Sequence, residues 1–242
     1  MTINWIMALT FVVAFVFSFA FVPVARMIAE KIGAIDIPKD ERRMHKEPLP
    51  RLGGLAIFLG FLVSVLCFAE LTKQLFALLL GVVIIVILGI FDDSRGLSAK
   101  FKFCVQVIAA LVVIYLGDIK IDIFTNPNIF SDQTFLELSD WIAIPCTVIW
   151  IVAITNAVNL IDGLDGLAAG VSAIASVSLV FISLLVGQPG IALIALAIAG
   201  SCFGFLPFNF NPAKIIMGDT GSTFLGFTLA VLSIQGGFKS DA

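Results

Sequence analysis

The sequence contains little charge. Lys, Arg, Asp and Glu together make up 13% of its 242 residues, whereas a soluble domain usually carries about 25%. Hydrophobic residues account for 60% and the mean hydropathy is +1.11. These values exclude an ordinary soluble domain, because the apolar residues come in blocks close to the ~20 residues that cross a bilayer. We therefore predict an all-α, polytopic integral membrane helical bundle that forms a single domain over residues 1–242.

Cysteine and histidine are also scarce. The four cysteines lie in or beside apolar blocks without paired spacing, so we interpret them as small hydrophobic residues rather than as disulfide or metal ligands. They are Cys67, Cys104, Cys146 and Cys202. The only histidine is His45. The first apolar block has no basic start and is too long for a signal-peptide core, so it is predicted to be a retained span.

Eight apolar blocks are predicted to be helical spans. They cover residues 4–29, 52–70, 75–91, 103–117, 141–157, 168–186, 190–206 and 221–236. Segment 118–140 alternates apolar and polar residues and contains Asn-Pro, which indicates a short hairpin or an interfacial cap.

The basic residues are distributed unevenly between the two predicted faces. Eleven of the fourteen Lys and Arg residues flank the loops 30–51, 92–102, 158–167 and 207–220. The other three are Lys73, Lys120 and Lys239. Since basic residues prefer the cytoplasmic side, we predict a cytoplasmic location for the first group of loops and an external N-terminus. The polar sequence clusters all fall on this predicted cytoplasmic face.

Five carboxylates occupy three of these predicted cytoplasmic loops. They are Asp92, Asp93, Asp162, Asp165 and Asp219. Ionisable groups at membrane spans are costly and usually functional, and a dense acidic site needs a cation. Oxygen ligands of this kind suit Mg²⁺, or Mn²⁺, held together with substrate phosphates. The alternative is that each Asp only caps a helix, but three clusters on one face favour a shared site.

Glycine and basic residues accompany the acids. Gly163 and Gly166 interrupt a helical pattern, and "GDTGSTFLGF" is typical of a loop that leads into a helix N-terminus, where N–H groups favour anions such as phosphate. An ordinary helix cap is the alternative there. The cations that share these loops are Lys46, Arg51, Lys100 and Lys102. Metal and cations together are what a diphosphate substrate needs.

Four sequence stretches carry a family resemblance. In chain order they are "HKEPLPRLGG", "DDSRGLSAKFKF", "NAVNLIDGLDGLAAG" and "NFNPAKIIMGDTGSTFLGF". With them the chain resembles the polyprenyl-phosphate N-acetylhexosamine-1-phosphate transferases, the superfamily of MraY and WecA. The resemblance implies Mg²⁺-dependent transfer of a sugar 1-phosphate from a UDP-sugar to undecaprenyl phosphate, with release of UMP. It also implies a multi-pass protein of the bacterial plasma membrane that works among membrane lipids, without a nucleic-acid partner, and a possible homodimer.

The resemblance assigns roles to individual residues. Asp219 is expected to be a metal ligand together with Asp92 and Asp93, and these two are also expected to lie beside the reacting phosphates and to act in catalysis. Asp92 would deprotonate or orient the lipid phosphate, and Asp162 would act at the catalytic centre. The residues expected to line the substrate cleft are His45, Lys46, Arg51, Lys100, Lys102, Asn159, Asp165 and Asn209. Direct attack of the lipid phosphate on the β-phosphorus is favoured, and a covalent aspartyl-phosphate route stays open.

Two features favour the WecA-like branch, which uses UDP-N-acetylglucosamine or a close relative and initiates cell-envelope polymers such as teichoic acid. They are "PRLGG" in the first loop and "GLSAKFKF" soon after the acidic pair. Two departures stand beside them. Ile216 occupies a position where relatives usually carry Phe, and the family's C-terminal spans and histidine-rich loop are not found in these 242 residues. We therefore expect a truncated member.

Two other classes of function remain open from the sequence. An ion-coupled transporter also combines intramembrane carboxylates with broken helices, but it places them near the middle of the membrane rather than at one edge. A non-catalytic relative that binds the lipid carrier is the second alternative.

Overall fold

The structure is a computed structural model that describes residues 2–37, 48–125 and 135–238. Within these residues the chain forms eight α-helices and four very short β-strands. The helices are α1 (Thr2–Ile32), α2 (Gly54–Phe68), α3 (Lys73–Arg95), α4 (Ala99–Gly117), α5 (Asp140–Ile161), α6 (Leu167–Leu185), α7 (Pro189–Asn209) and α8 (Gly218–Phe238). The strands are β1 (Ile35–Asp36), β2 (Leu49–Pro50), β3 (Ile123–Thr125) and β4 (Phe135–Glu137). The predicted all-α bundle is confirmed, with one helix at each predicted span.

Several helices extend further than predicted towards the acidic clusters. Helix α3 continues to Arg95 and α4 begins at Ala99, so only residues 96–98 connect them. Asp92 and Asp93 therefore lie in the last turns of α3, and Asp219 lies in the first turn of α8. The prediction that these acids occupy loops is wrong, because polar side chains at a helix end can face a neighbouring helix without interrupting the helix.

Helix α8 lies at the centre of the bundle. It packs against α2, α3, α5, α6 and α7, whereas α4 packs on α3 and α5, and α1 packs on α2 and α7. Every residue from 217 to 232 is buried. A helix that other helices surround does not need an apolar face towards lipid, so α8 can carry Asp, Thr and Ser in its first turns. These turns are the part of α8 that contributes to the site.

Small residues allow α8 to approach α2 and α3 closely. A Cβ atom added to Gly54 of α2 would clash with the backbone of Gly221, and one added to Gly89 of α3 would clash with the backbone of Thr220. Helix α7 uses the same device, because Gly200 and Gly204 lie against the backbone of α1. Such close backbone packing is typical of membrane helices, where small residues line the interfaces.

By length and composition, six helices of the described chain can cross a membrane: α1 and α3 to α7. Helix α2 is apolar but has only 15 residues. The protein is thus a multi-pass membrane protein. Strands β3 and β4 pair antiparallel, which confirms the hairpin predicted in segment 118–140. The four cysteines are free, as predicted, although Cys67, Cys104 and Cys146 are exposed and only Cys202 is buried.

Candidate active site

Asp93 caps the N-terminus of α8. Its carboxylate accepts hydrogen bonds from the backbone N–H groups of Asp219 and Thr220, at 2.8 and 2.9 Å, and from the Thr220 hydroxyl at 2.7 Å. The side chain is 0% exposed. An anion at a helix N-terminus is favourable, but here the anion is a side chain of the protein. The expectation that these N–H groups receive phosphate is therefore wrong for residues 219 and 220.

Gly218 makes this cap possible. Its φ is +75°, in the left-handed region that favours glycine. A Cβ atom at this position would lie 2.6 Å from Asp93 Oδ2 and 2.9 Å from the carbonyl oxygen of Arg51. Only glycine allows α3, the segment before α2 and the start of α8 to meet at this point.

Arg51 is fixed by backbone pairing on both sides. Its N–H donates to the carbonyl of Ala34, and it forms a parallel bridge with Ile216. The guanidinium lies between two acids, with Nε 3.1 Å from Asp93 Oδ1 and Nη2 2.6 Å from Asp219 Oδ1. Burial alone would lower the pKa of Arg51, but these carboxylates outweigh burial and raise the pKa above its usual range. Arg51 is a permanent cation.

Lys102 joins Asp92 of α3 to Asp219 of α8. Its Nζ lies 2.9 Å from Asp92 Oδ2 and 2.9 Å from Asp219 Oδ2. The other oxygen of Asp92 accepts a hydrogen bond from the N–H of Leu97 at 2.7 Å, which holds the turn between α3 and α4. The side chains of Asp92 and Asp219 are each 9% exposed. Acids from α3 and α8 thus converge on one ammonium group.

The end of α5 provides a further acid. Asp162 directly follows α5 and is half-buried, near enough to Arg51, Asp219 and Asp93 to be influenced by their charges. Burial raises the pKa of Asp162 to about 8, and the positive charge of Arg51 offsets only part of this effect. One turn earlier, Asn159 donates to the Ser222 hydroxyl at 2.8 Å, which joins α5 to α8.

Asp165 and Asn209 hold two loops together at the same end of the bundle. Asp165 Oδ2 accepts hydrogen bonds from Asn211 Nδ2 and from the N–H of Ala213, each at 3.1 Å. Asn209 accepts from the N–H of Gly166 at 3.1 Å and donates to the carbonyl of Ile215 at 3.0 Å. These bonds fix the segment that leads into α8, and the predicted contact of both residues with substrate stays a prediction.

The donor set at Asp92 and Asp219 fits the predicted Mg²⁺. The Lys102 ammonium marks a point where a cation contacts both carboxylates at 2.9 Å. Magnesium usually takes one or two carboxylates, with waters and substrate phosphates completing its coordination. Among the described residues there is no group of three or more His, Cys, Asp or Glu side chains that could hold a metal, and two carboxylates suffice for this kind of site.

Comparison with known proteins agrees with the resemblance carried by the four stretches. The sequence pattern of glycosyl transferase family 4 matches residues 75–237, which include Asp92, Lys102, Asp162 and Asp219. The chain belongs to glycosyl transferase family 4. All the acids of the site lie within this family-4 region.

Several relatives of this family-4 chain are named as transferases. It is 47% identical over 95% of its length to a probable undecaprenyl-phosphate N-acetylglucosaminyl 1-phosphate transferase of Bacillus subtilis. It is 37% identical over 86% of its length to a decaprenyl-phosphate N-acetylglucosaminephosphotransferase of Mycobacterium tuberculosis. It is 34% identical over 94% of its length to a phospho-N-acetylmuramoyl-pentapeptide-transferase of Halalkalibacterium halodurans. The chain spans 64%, 55% and 73% of these relatives, respectively.

The family-4 site gathers most of the residues predicted for it. Arg51, Asp92, Asp93, Lys102 and Asp219 are connected by ion pairs or hydrogen bonds. Asp162, Asn159, Asp165 and Asn209 lie at the same end of the bundle. The catalytic, metal and substrate roles of all these residues stay predictions. Asp93 differs from Asp92 and Asp219 in two ways: its side chain is 0% rather than 9% exposed, and its oxygens are bonded to the start of α8 and to Arg51 rather than to Lys102.

Among the described residues, one predicted basic position is not part of this cluster. Lys100 is exposed and its side chain contacts no other described residue by an ion pair or hydrogen bond. It lies two residues before Lys102 on α4, and positions two apart face different sides of a helix. His45 and Lys46 lie outside the described residues.

Sequence reasoning missed several residues that hold the site together. The Thr220 hydroxyl donates to Asp93, and the Ser222 hydroxyl accepts from Asn159. Gln106 of α4 was also missed; it forms an amide pair with Asn156, the first polar residue of the "NAVNLIDGLDGLAAG" stretch, with Asn156 Nδ2 2.7 Å from Gln106 Oε1. A signal was present in the sequence, because Gln106 follows Lys102 by one helical turn within an apolar run.

A cavity of about 540 Å³ lies at the other end of the bundle. Its lining includes the start of α1, the connection between α2 and α3, residues 118–122 and the start of α7. It contains none of the acids described above. The charged cluster rather than this cavity is therefore the candidate active site.

Proposed function

We propose that this chain carries the catalytic core of a Mg²⁺-dependent transferase. It moves N-acetylhexosamine 1-phosphate from a UDP-sugar to a polyprenyl phosphate, undecaprenyl phosphate in bacteria, and releases UMP. N-acetylglucosamine 1-phosphate is the favoured group, because the relatives of B. subtilis and M. tuberculosis are named for N-acetylglucosamine transfer. In this reaction a lipid phosphate oxygen bonds to the β-phosphorus as the bond from that phosphorus to the oxygen bridging to UMP breaks.

One observation carries the proposal above all others. Asp92 of α3 and Asp219 of α8 are 127 positions apart in the chain numbering, yet both contact the Lys102 ammonium at 2.9 Å. Arg51 adds a second cation 2.6 Å from Asp219. Acids that can share a divalent cation, edged by basic side chains, match the needs of phosphoryl transfer, in which positioning and charge neutralisation supply most of the rate.

Each residue of the site has a proposed role in this reaction. Arg51 and Lys102 neutralise negative charge on the phosphates, and Asp92 orients or deprotonates the attacking lipid phosphate. Asp219 and Asp92 would hold Mg²⁺, which when bound neutralises charge on the diphosphate. Asp162 and Asn159 line the nucleotide side of the cleft.

The surroundings of the acids suit a lipid acceptor. Phe91, directly before Asp92, is 47% exposed, and Phe101 and Phe103 on either side of Lys102 are 54% and 55% exposed. Aromatic side chains at this level of a membrane protein face lipid or the membrane interface. A polyprenyl chain can lie against this surface while its phosphate reaches Asp92 and Lys102. We place this end of the bundle at the cytoplasmic side of the plasma membrane.

The positions of the acids disfavour an ion-coupled transporter. Transporters of this kind place their coupling groups near the middle of the bilayer, at broken helices. Here Asp92 and Asp93 are in the last turns of α3, Asp162 follows the end of α5, and Asp219 is in the first turn of α8. Acids at helix ends can meet a nucleotide from the aqueous phase and a phosphate at the membrane surface.

A transfer assay tests the proposal. The full chain in detergent is incubated with radiolabelled UDP-N-acetylglucosamine, undecaprenyl phosphate and Mg²⁺, and label in the lipid and released UMP are measured. We expect equal amounts of both products, and we expect D219N to lose nearly all turnover, because the amide cannot supply the charge that a metal ligand supplies. Other UDP-sugars in the same assay define the donor.

Asp118→Asn is the matched control. Asp118 lies in the left-handed region with φ 53°, a conformation that Asn also adopts readily, at the opposite end of the bundle from the cluster. This variant should retain wild-type turnover. Folded protein that binds UDP-N-acetylglucosamine or undecaprenyl phosphate in the presence of Mg²⁺ without producing UMP would contradict the transferase and support the carrier-binding alternative. Full turnover by D219N would contradict the metal-ligand role of Asp219.

A further inference from the structure

The two cations of the site are held in different ways. Arg51 is bound to Asp93, a side chain with 0% exposure, as well as to Asp219. If Arg51 withdrew, it would leave a fully buried carboxylate without its countercharge, which is strongly unfavourable. Its backbone is also paired on both sides, with Ala34 and Ile216. Arg51 therefore stays in place whatever else binds.

Lys102 has no comparable restraint. Its side chain is 26% exposed and ends a flexible four-carbon stem. It contacts Asp92 Oδ2 and Asp219 Oδ2, whereas the other oxygen of each acid is held by Leu97 or Arg51. Withdrawal of Lys102 would expose two oxygens that point at one place. A divalent cation could then take up the charge that the ammonium leaves.

We propose that Lys102 is an exchangeable placeholder for the divalent cation. Its ammonium group occupies the position between Asp92 and Asp219 in the metal-free protein and moves out when the cation enters. The displaced ammonium then faces the substrate phosphates. This inference rests on the proposed function and adds to it a competition between one side chain and the metal.

The charges of the cluster explain why such a placeholder is useful. Asp92, Asp93 and Asp219 carry three formal negative charges, against two positive charges from Arg51 and Lys102. Without Lys102 the acids of α3 and α8 would repel each other at the point where the two helices meet. With Lys102 the site keeps its shape before the metal arrives. Exchange adds two positive charges to the cleft when the anionic substrates need them.

Mn²⁺ binding without nucleotide or lipid tests the inference. Mn²⁺ is added stepwise to the full chain, as wild type, K102M or K102R, and the Mn²⁺ that remains free is measured by electron paramagnetic resonance. Met keeps the length and removes the charge, so we expect K102M to bind Mn²⁺ roughly tenfold more tightly, since a competing unit charge is gone. Arg can hold both carboxylates through its planar fork, so we expect K102R to bind Mn²⁺ more weakly than the wild type.

Arg95→Met is the control for a general loss of positive charge. Arg95 ends α3 near the site but lies over the Phe91 ring, with its Cζ 5.6 Å from the ring centroid, rather than between the acids. Its Mn²⁺ affinity should match the wild type. Without metal, the melting temperature of K102M should be lower than that of the wild type. Mg²⁺ should raise the melting temperature of K102M by more than it raises that of the wild type.

The outcomes separate this inference from the proposed function. Equal or weaker Mn²⁺ binding by folded K102M, or K102R binding as tightly as the wild type, would overturn the placeholder and leave the transferase intact. If K102M does not fold, K102R alone decides. Absence of Mn²⁺ binding in every variant would overturn both the placeholder and the metal part of the proposed function.

Discussion

At the scale of single residues, two adjacent acids have different tasks. The side chain of Asp93 is fully buried, and its two oxygens are bonded to the start of α8 and to Arg51. Asp92 directs one oxygen towards Lys102. Successive residues of a helix point about 100° apart, so one of the pair faces α8 while its neighbour faces α4. Asp92 is thus the better candidate for contact with substrate, and Asp93 the better candidate for positioning.

Asp162 gives a prediction on stability and pH. Its pKa of about 8 in the folded protein exceeds the usual 3.8, so the folded state binds the proton more tightly than the unfolded state. Its contribution to stability is full below about pH 4 and is lost as the pH rises towards 8. We therefore expect D162N to melt at a higher temperature than the wild type in metal-free detergent solution, by more at pH 8 than at pH 5.

The same variant should lose transfer activity if Asp162 acts at the catalytic centre. Greater stability combined with lower activity is the pattern expected of a residue kept for function rather than for folding. Identical melting temperatures for D162N and wild type across this pH range would show that the ionised Asp162 carboxylate does not destabilise the folded protein. The D118N variant, at the far end of the bundle, serves as the reference in both measurements.

At the scale of helices, the site depends on how closely α2 and α3 approach α8. The last turns of α3 can cap α8 only because Gly89 lets the two backbones touch near Thr220, and Gly54 does the same for α2 at Gly221. The geometry of the acidic cluster therefore depends on glycine residues that lie close to the acids in α2 and α3. This packing links the membrane-embedded part of the helices to the chemistry at their ends.

Gly89→Ala tests this link. The added methyl group would meet the backbone of α8, which cannot move aside as a side chain can. Overpacking of this kind costs about 1–3 kcal/mol, so we expect a clear fall in melting temperature and loss of transfer activity. Gly170→Ala in α6 is the matched control, because its Cβ would meet nothing within 4 Å. That variant should keep wild-type activity and stability, and equal behaviour of the two variants would contradict the proposed role of close packing.

At the scale of the whole molecule, much of the architecture could be predicted from the sequence. The apolar blocks predicted all eight helices of the described residues, because the thickness of the bilayer determines the length of a span. Segment 118–140 gave a hairpin, because its alternation of polar and apolar residues has the period of a strand. The alternation of the predicted spans then indicated that the segments with Asp92, Asp162 and Asp219 belong to one end of the bundle.

Other features could not be predicted because they depend on three-dimensional contacts. The C-terminus of α3 and the N-terminus of α8 were misplaced. Asp and Lys near an apolar block indicate a loop, unless a neighbouring helix provides ion pairs and hydrogen bonds for them. Strands β1 and β2 contain only two residues each, too few for a pattern to show. The capping of α8 by Asp93 joins positions far apart in the chain, and nothing local to either position signals it.

The orientation of the bundle is the largest prediction still to be tested. Eleven of the fourteen basic residues flank the loops of one predicted face, and from this asymmetry we predict that the acidic end faces the cytoplasm. In a variant whose four cysteines are replaced by alanine, single cysteines at Leu71 and Gly163 would report the two ends. Leu71 is 67% exposed, between α2 and α3, and Gly163 is exposed beside Asp162. A membrane-impermeant maleimide should label L71C in intact spheroplasts, but G163C only after permeabilisation. The reverse pattern would place the acidic cluster outside, where a cytosolic UDP-sugar could not reach it.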